Sequence, residues 1–322
     1  MAAVPDVRQP SGTAFAIREA LPWNDLAPTV RACEDAGYTA VFLPEITGRD
    51  AFVTLGALAG ETRDLLLGTG VVPMRSRTPL LTAMAAATVH ERSRGRLVLG
   101  LGTGDVGRGA LDELREQIRT IRHLLGGGPV DRRGRSARLA LEPGAPVPIW
   151  VSALGPKMMR LAGELADGVL LNWCPPERVA FAREQIVDGA REAGRDRGDV
   201  TVAVYVRSWA GDADEADEAM AALKRAAGEY ASFPAYARQL EQVGLGVETA
   251  AAAEAFRTGR TDLVPEALVD AVCAFGDAAA ARIDAYRAAG AALPVVYPVA
   301  TGDVQASLEA TLLALSPAPG AV

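Results

Sequence analysis

The feature that most constrains this chain is a repeated alternation of short, continuously apolar runs with longer helical patterns. The runs are TAFAIR (Thr13 to Arg18), TAVFLP (Thr39 to Pro44), LLLGTGVV (Leu65 to Val72), RLVLGLG (Arg96 to Gly102), PIWVSA (Pro148 to Ala153), GVLLNW (Gly168 to Trp173), VTVAVYVRSW (Val200 to Trp209) and LPVVYPV (Leu293 to Val299). Runs that are apolar at every position, not every second one, belong to strands covered on both faces. Helical patterns follow each of them, several opened by a proline at the first helical position, as at Pro79, Pro156 and Pro176. Eight such units are the number that closes a (β/α)8 barrel, and 322 residues exceed the ~250 that this fold needs. Between the seventh and eighth runs, residues 210–292 are alanine-rich and mostly helical, so they are expected as an insertion. No linker divides the chain, and residues 1–322 are expected as one domain with a loose tail over residues 1–12.

The stretch LGLGTGDVGRG contains a G-x-G-x-x-G in Gly102, Gly104 and Gly107, the spacing of a dinucleotide-binding turn. That turn belongs on the first βα unit, with an acidic residue ending the next strand about twenty residues on. Here it follows the fourth run, and the segment beyond it, GGGPVDRR, has no strand character. The glycines therefore belong to the C-terminal rim of a barrel, where such folds build their sites.

A formal net charge of −7 weighs against a nucleic-acid or anionic-membrane partner. Cys33, Cys174 and Cys273 are widely separated and form no C-x-x-C pair, so neither a disulfide framework nor a zinc site is expected. With no leader-like start and no apolar span of about 18 residues, a cytoplasmic setting is expected.

Residues just past each strand converge on one mouth. They are Arg18 and Glu19 after the first, Glu45 after the second, Thr69 to Val72 after the third, Thr103 to Asp105 after the fourth, Ser152 to Lys157 after the fifth, Asn172 to Cys174 after the sixth, Arg207 to Trp209 after the seventh, and Tyr297 after the eighth. No histidine is among them: His90 and His123 fall in outer helices, which removes the base of a Ser-His-Asp triad and most support for a catalytic metal. In SALGPK, the N–H groups of a helix opened by Gly155 and Pro156, together with Lys157, make either a cradle for an anionic group or an ordinary βα loop.

Two long stretches, residues 65–105 (LLLGTGVVPMRSRTPLLTAMAAATVHERSRGRLVLGLGTGD) and residues 148–173 (PIWVSALGPKMMRLAGELADGVLLNW), resemble the luciferase-like monooxygenase superfamily of TIM barrels. Within it the likeness is to the coenzyme F420 branch that includes methylene-tetrahydromethanopterin reductase. The resemblance implies a cofactor ring in the mouth, seated by Thr69, Gly70, Val71, Gly102, Thr103 and Gly104, with a non-prolyl cis peptide at Gly70-Val71. It puts the phosphate tail near Ser152, Ala153, Gly155, Pro156 and Lys157, with Asn172 adjoining. Asp105 aligns with an acidic position near the reacting ring, where it would protonate the basic atom left by hydride transfer; capping the helix that follows is the alternative role.

Two positions depart from the branch. Glu45 stands where relatives often carry histidine, and Arg18 where the methanopterin reductases carry glutamate; Glu45 is either catalytic or half of a Glu45–Arg18 ion pair. Arg18, Arg75 and Trp173 are the substrate-side candidates, and the insertion would cover the opening. The expected activity is F420-dependent hydride transfer to or from a small imine, iminium or activated alkene. An FMN-dependent monooxygenase with a reductase partner and a non-catalytic ligand-binding barrel are the alternatives. A homodimer is expected from the superfamily.

Overall fold

The computed structural model describes residues 7–104, 107, 109–131, 134–196 and 198–317. Eight parallel strands close on themselves: β1 (Ala14–Ala16), β2 (Ala40–Leu43), β3 (Leu66–Thr69), β4 (Leu97–Gly102), β5 (Ile149–Ser152), β6 (Gly168–Asn172), β7 (Thr201–Trp209) and β8 (Leu293–Pro298). Each pairs with its sequence neighbours, and β8 returns to β1 with Ala14 opposite Val295. The outer ring includes α1 (Trp23–Asp35), α2 (Ala51–Leu58), α3 (Pro79–Arg92), α4 (Ala110–Leu125), α5 (Pro156–Leu165) and α6 (Pro176–Glu192). The fold is a TIM barrel.

Alternate strand residues fill the barrel, among them Phe42, Leu66, Val98, Trp150, Leu170, Tyr205 and Tyr297, while their neighbours pack outward on the helices. Glycines make room for the large rings inside. A Cβ at Gly68 would lie 2.3 Å from the Phe42 ring, and one at Gly168 2.3 Å from Trp150. Local chemistry sets the helix starts: Asp50 caps α2 by accepting from the Val53 N–H, and the Thr78 hydroxyl caps α3 by accepting from Leu81, ahead of Pro79.

Three details refine the sequence reading: the first carries the cis peptide that the resemblance implies, and the other two differ from the expectation. The third run is interrupted: after Leu66–Thr69 the chain re-pairs at Val72–Pro73, and from Gly68↔Val98 to Val72↔Leu101 it advances four residues against three on β4. That is a bulge of one residue at the rim, and the Gly70-Val71 peptide within it is cis. Residues 7–12, placed in a loose tail above, cross the bottom of the barrel, where Gln9 donates to the Gly198 carbonyl (3.1 Å) and the Gly12 N–H to Ala292 (3.1 Å).

The insertion carries α7 (Ala216–Ala231), α8 (Pro234–Glu241), α9 (Gly246–Arg257), α10 (Glu266–Val272) and α11 (Ala279–Ala288), with α12 (Val304–Ala314) after β8. It also holds a strand not expected from sequence, Cys273–Phe275, which runs parallel to β7 with Cys273 opposite Arg207. Three residues of CAF inside alanine-rich helix give no period to read. The insertion has its own apolar core, including Leu223, Ala227, Leu240 and Val269, and that core takes in Trp173 from the barrel rim.

Candidate active site

The strand ends meet at one mouth, but the rim residues are engaged very unequally. Thr69 is fully buried, and its hydroxyl both donates to the Gly100 carbonyl and accepts from the Gly100 N–H, each at 2.8 Å. A Cβ at Gly102 would meet Val71 Cγ2 at 2.5 Å and Ser152 Oγ at 2.8 Å, and one at Gly70 would meet Tyr205 Oη at 1.8 Å. These glycines are thus demanded by close approach of the protein's own strands. Gly104 has φ 65, a left-handed conformation that suits glycine, and Thr103 donates to its carbonyl at 3.5 Å. Asp105 lies outside the described residues.

Glu45 is held by a different partner from the one expected. Its carboxylate receives Arg77 bidentately, Nε at 2.9 Å and Nη2 at 3.1 Å, plus the Ala51 N–H at 3.2 Å; Arg77 also pairs with Asp50. The Glu45–Arg18 pair is therefore corrected. Arg77 enters from the loop leading to α3, over the Phe52 ring, and hydrogen bonding to Glu45 raises its already high pKa further. Arg18 is exposed, and among the described residues it forms no ion pair. Arg75 is bonded to Glu113 of α4, Nη2 to Oε2 at 2.9 Å.

After β5, Ala153 is buried with its N–H on the Leu170 carbonyl, whereas Gly155 and Lys157 open α5 with no side-chain cap. A Cβ at Gly155 would meet nothing within 4 Å, so the helix start faces open space. Lys157 is exposed beside it. After β6, Asn172 Nδ2 donates to Tyr236 Oη (3.2 Å), and Gln239 Nε2 donates to the carbonyls of Asn172 (3.0 Å) and Trp173 (2.7 Å), tying the rim to α8. Cys174 is buried, and burial pushes its thiol up to about 12, so it is no nucleophile at neutral pH.

Two rim residues gain importance from the structure. Burial raises the Glu19 carboxyl pKa against the opposing effect of its own and the Arg18 backbone N–H groups and of the Arg207 charge. Arg207 is 4 % exposed, with its guanidinium carbon 3.5 Å from the Tyr297 ring centre, 5.1 Å from Trp173 and 5.6 Å from Tyr230 of α7. Both positions stand at strand ends in the sequence, but no spacing says which rim charge will lack a partner. Tyr230, Tyr236 and Gln239 come from the insertion, too far along the chain for any rim periodicity to reveal them.

The luciferase-like monooxygenase family model matches residues 5–293. The chain belongs to that family. A relative of this luciferase-like chain, a putative coenzyme F420-dependent oxidoreductase of Mycobacterium tuberculosis, is 30 % identical over 319 residues, covering 86 % of this chain and 91 % of its own. The 5,10-methylenetetrahydromethanopterin reductase of Methanolobus tindarius is 36 % identical over 199 residues, 57 % of this chain and 61 % of that protein's length. Among solved structures, the coenzyme F420-dependent tetrahydromethanopterin reductase of Methanopyrus kandleri superposes with a TM-score of 0.77 at 23 % identity, covering 96 % of this chain and 99 % of that one. That likeness establishes the common fold.

Proposed function

We propose that this luciferase-like protein is a coenzyme F420-dependent oxidoreductase moving a hydride between the deazaflavin and a small organic substrate of imine, iminium or activated-alkene type. The observation that carries this reading is the near full-length similarity to the F420-dependent oxidoreductase named above. Residues in the mouth fit such a group. The uncapped start of α5, with Gly155, Pro156 and Lys157 facing open space beside Ser152 and Ala153, suits an anionic tail. The resemblance puts the flat ring at the bulge of Thr69, Gly70 and Val71, beside Gly102, Thr103 and Gly104, where the chain re-pairs with β4 at the rim of the mouth.

When bound, the deazaflavin supplies the hydride. The chain's own task is to place the substrate, exclude water and move a proton. The insertion serves the second, because Tyr230, Tyr236 and Gln239 close over the β6 and β7 ends. For the third, Glu19 and Asp105 are the proposed donors, Glu19 because burial keeps its carboxyl protonated to higher pH than usual. Glu45, with both oxygens on Arg77, braces the loop before α3. In the reductive direction, turnover should fall as pH rises through the Glu19 pKa. Glu19→Gln should lower kcat by roughly 10²-fold or more and flatten that limb. A wild-type pH profile in the variant would remove Glu19 from the proton path.

The discriminating experiment is a titration of the purified protein with F420 and with FMN, each followed by its own absorbance. Micromolar F420 binding with FMN at least about ten-fold weaker is expected, a gap of ~1.4 kcal/mol. The reverse order would favour a monooxygenase, since an FMN complex of a type II Baeyer–Villiger monooxygenase shares the fold at TM-score 0.67. Exposed Val53 (74 %), Leu81 (48 %) and Met84 (50 %) on adjoining α2 and α3 support a homodimer. Among the described residues no helix is long and apolar enough to cross a membrane. Three buried free thiols and the acidic balance support a cytoplasmic enzyme acting on a small molecule, with no nucleic-acid or membrane partner.

A further inference from the structure

Among the described residues, Arg207 is a buried cation without a matching anion. Its Nη1 is wholly buried with no hydrogen-bond partner, and among the described residues its guanidinium makes neither a hydrogen bond nor an ion pair within 4 Å. Glu19 influences it only through space. The Tyr297, Trp173 and Tyr230 rings around it offset part of the cost of taking the charge out of water, but cation–π contacts recover less than desolvation of a guanidinium costs. A second donor is stranded at the same place. Trp173 Nε1 is buried and unpartnered, on a ring whose centre is 5.1 Å from the guanidinium carbon.

The backbone at Trp173 has φ 50, a left-handed conformation that a bulky side chain rarely takes. It is fixed there by Gln239, which donates to the Trp173 carbonyl, and by the Tyr230 ring, centred 4.9 Å away. Such an outlier, over-determined by neighbours, is typical of a functional position. On β7 the inward residues Ala203 and Tyr205 fill the barrel, and Arg207, two places further on, continues that face at the mouth.

We infer that Arg207 and Trp173 form a subsite for a carboxylate carried by the substrate, with Tyr297 as its floor and Tyr230 as its roof. The planar guanidinium suits a carboxylate held by two parallel N–H donors. The substrate is therefore a small organic acid whose reacting double bond lies within the same molecule. This deepens the reading proposed above, in which the mouth is where the substrate reacts. Because Tyr230 belongs to the insertion, occupancy of the subsite would also hold the insertion over the mouth.

The test uses benzoate as the probe carboxylate, benzamide as its neutral isostere and inorganic phosphate as the alternative anion. Binding is read by tryptophan fluorescence on the full chain, with and without F420. Wild type should bind benzoate saturably and at least ten-fold more tightly than benzamide. Arg207→Met should lose that preference, and Trp173→Phe should weaken benzoate about three- to ten-fold. Should Arg207→Met fail to fold, Arg207→Lys and the benzoate–benzamide comparison on wild type carry the test. Equal binding of benzoate and benzamide overturns the inference, as does phosphate binding more tightly than benzoate. A ten-fold loss of F420 affinity in Arg207→Met with benzoate binding unchanged also overturns it, assigning the guanidinium to the cofactor's anionic tail. Failure of wild type to bind F420 while benzoate still discriminates would instead overturn the cofactor reading and leave the subsite standing.

Discussion

Replacing Arg96 by methionine is expected to lower the melting temperature by on the order of 5–10 °C while leaving cofactor affinity at 20 °C unchanged. Arg96 directly precedes β4, at the end of the barrel opposite the mouth, and is 3 % exposed. Its guanidinium donates five hydrogen bonds: Nε to Ser93 O (2.8 Å), Nη1 to Thr62 Oγ1 (2.9 Å) and Leu65 O (2.7 Å), and Nη2 to Ala59 O and Thr62 O (both 3.0 Å). One side chain thus satisfies the carbonyls that end α2 and α3 and begin β3.

Methionine fills the volume but donates nothing, leaving four buried carbonyls short of a donor. At ~1–3 kcal/mol per stranded group, less what relaxation and entering water recover, a loss of about 3–5 kcal/mol is expected. Lysine should restore little, because a single ammonium cannot reproduce a planar fork of five N–H groups. A melt shifted by less than ~2 °C would mean that water takes over the carbonyls, and that the hub is a packing residue.

The difference between Arg96 and Arg207 shows what the sequence could convey. Both are arginines at an end of a barrel strand, and nothing in the neighbouring residues tells which will be enclosed by carbonyls and which by aromatic rings. The barrel itself was legible because its signal is local: eight apolar runs and the prolines that open several of the following helices each read within a few positions. Engagement of the rim was not, because it depends on residues distant in sequence. Glu45 finds Arg77 across 32 positions, and Asn172 finds Tyr236 across 64. Gly102 illustrates a subtler limit. A glycine at a strand end signals close approach, but only the fold shows that Val71 and Ser152 are what approach it.

The same logic makes Gly70 the most sensitive position in the mouth. A Cβ there would fall 1.8 Å from Tyr205 Oη and 3.1 Å from Phe42 Cβ, both in the packed interior of the barrel. Tyr205 Oη donates to the Gly70 carbonyl at 3.1 Å, so the clash and the hydrogen bond involve the same hydroxyl. Gly70→Ala must therefore displace the tyrosine, adding overpacking of ~1–3 kcal/mol to the cost of a buried hydroxyl and carbonyl parted from each other, again ~1–3 kcal/mol. A total of about 3–5 kcal/mol is expected, with F420 affinity falling alongside because the bulge that would seat the ring moves.

Tyr205→Phe separates the two contributions. Alone it should cost about 1 kcal/mol, the price of leaving the Gly70 carbonyl without its donor. Combined with Gly70→Ala it removes the 1.8 Å contact and leaves Tyr205 Cζ as the nearest ring atom, at 3.1 Å. That distance needs only a small shift of the ring. The double variant should accordingly be more stable than Gly70→Ala alone, with a coupling of at least ~1 kcal/mol between the two positions by denaturant unfolding. Strict additivity would show that the alanine is accommodated by movement of the bulge, and that the Tyr205 hydroxyl does not fix the rim at β3.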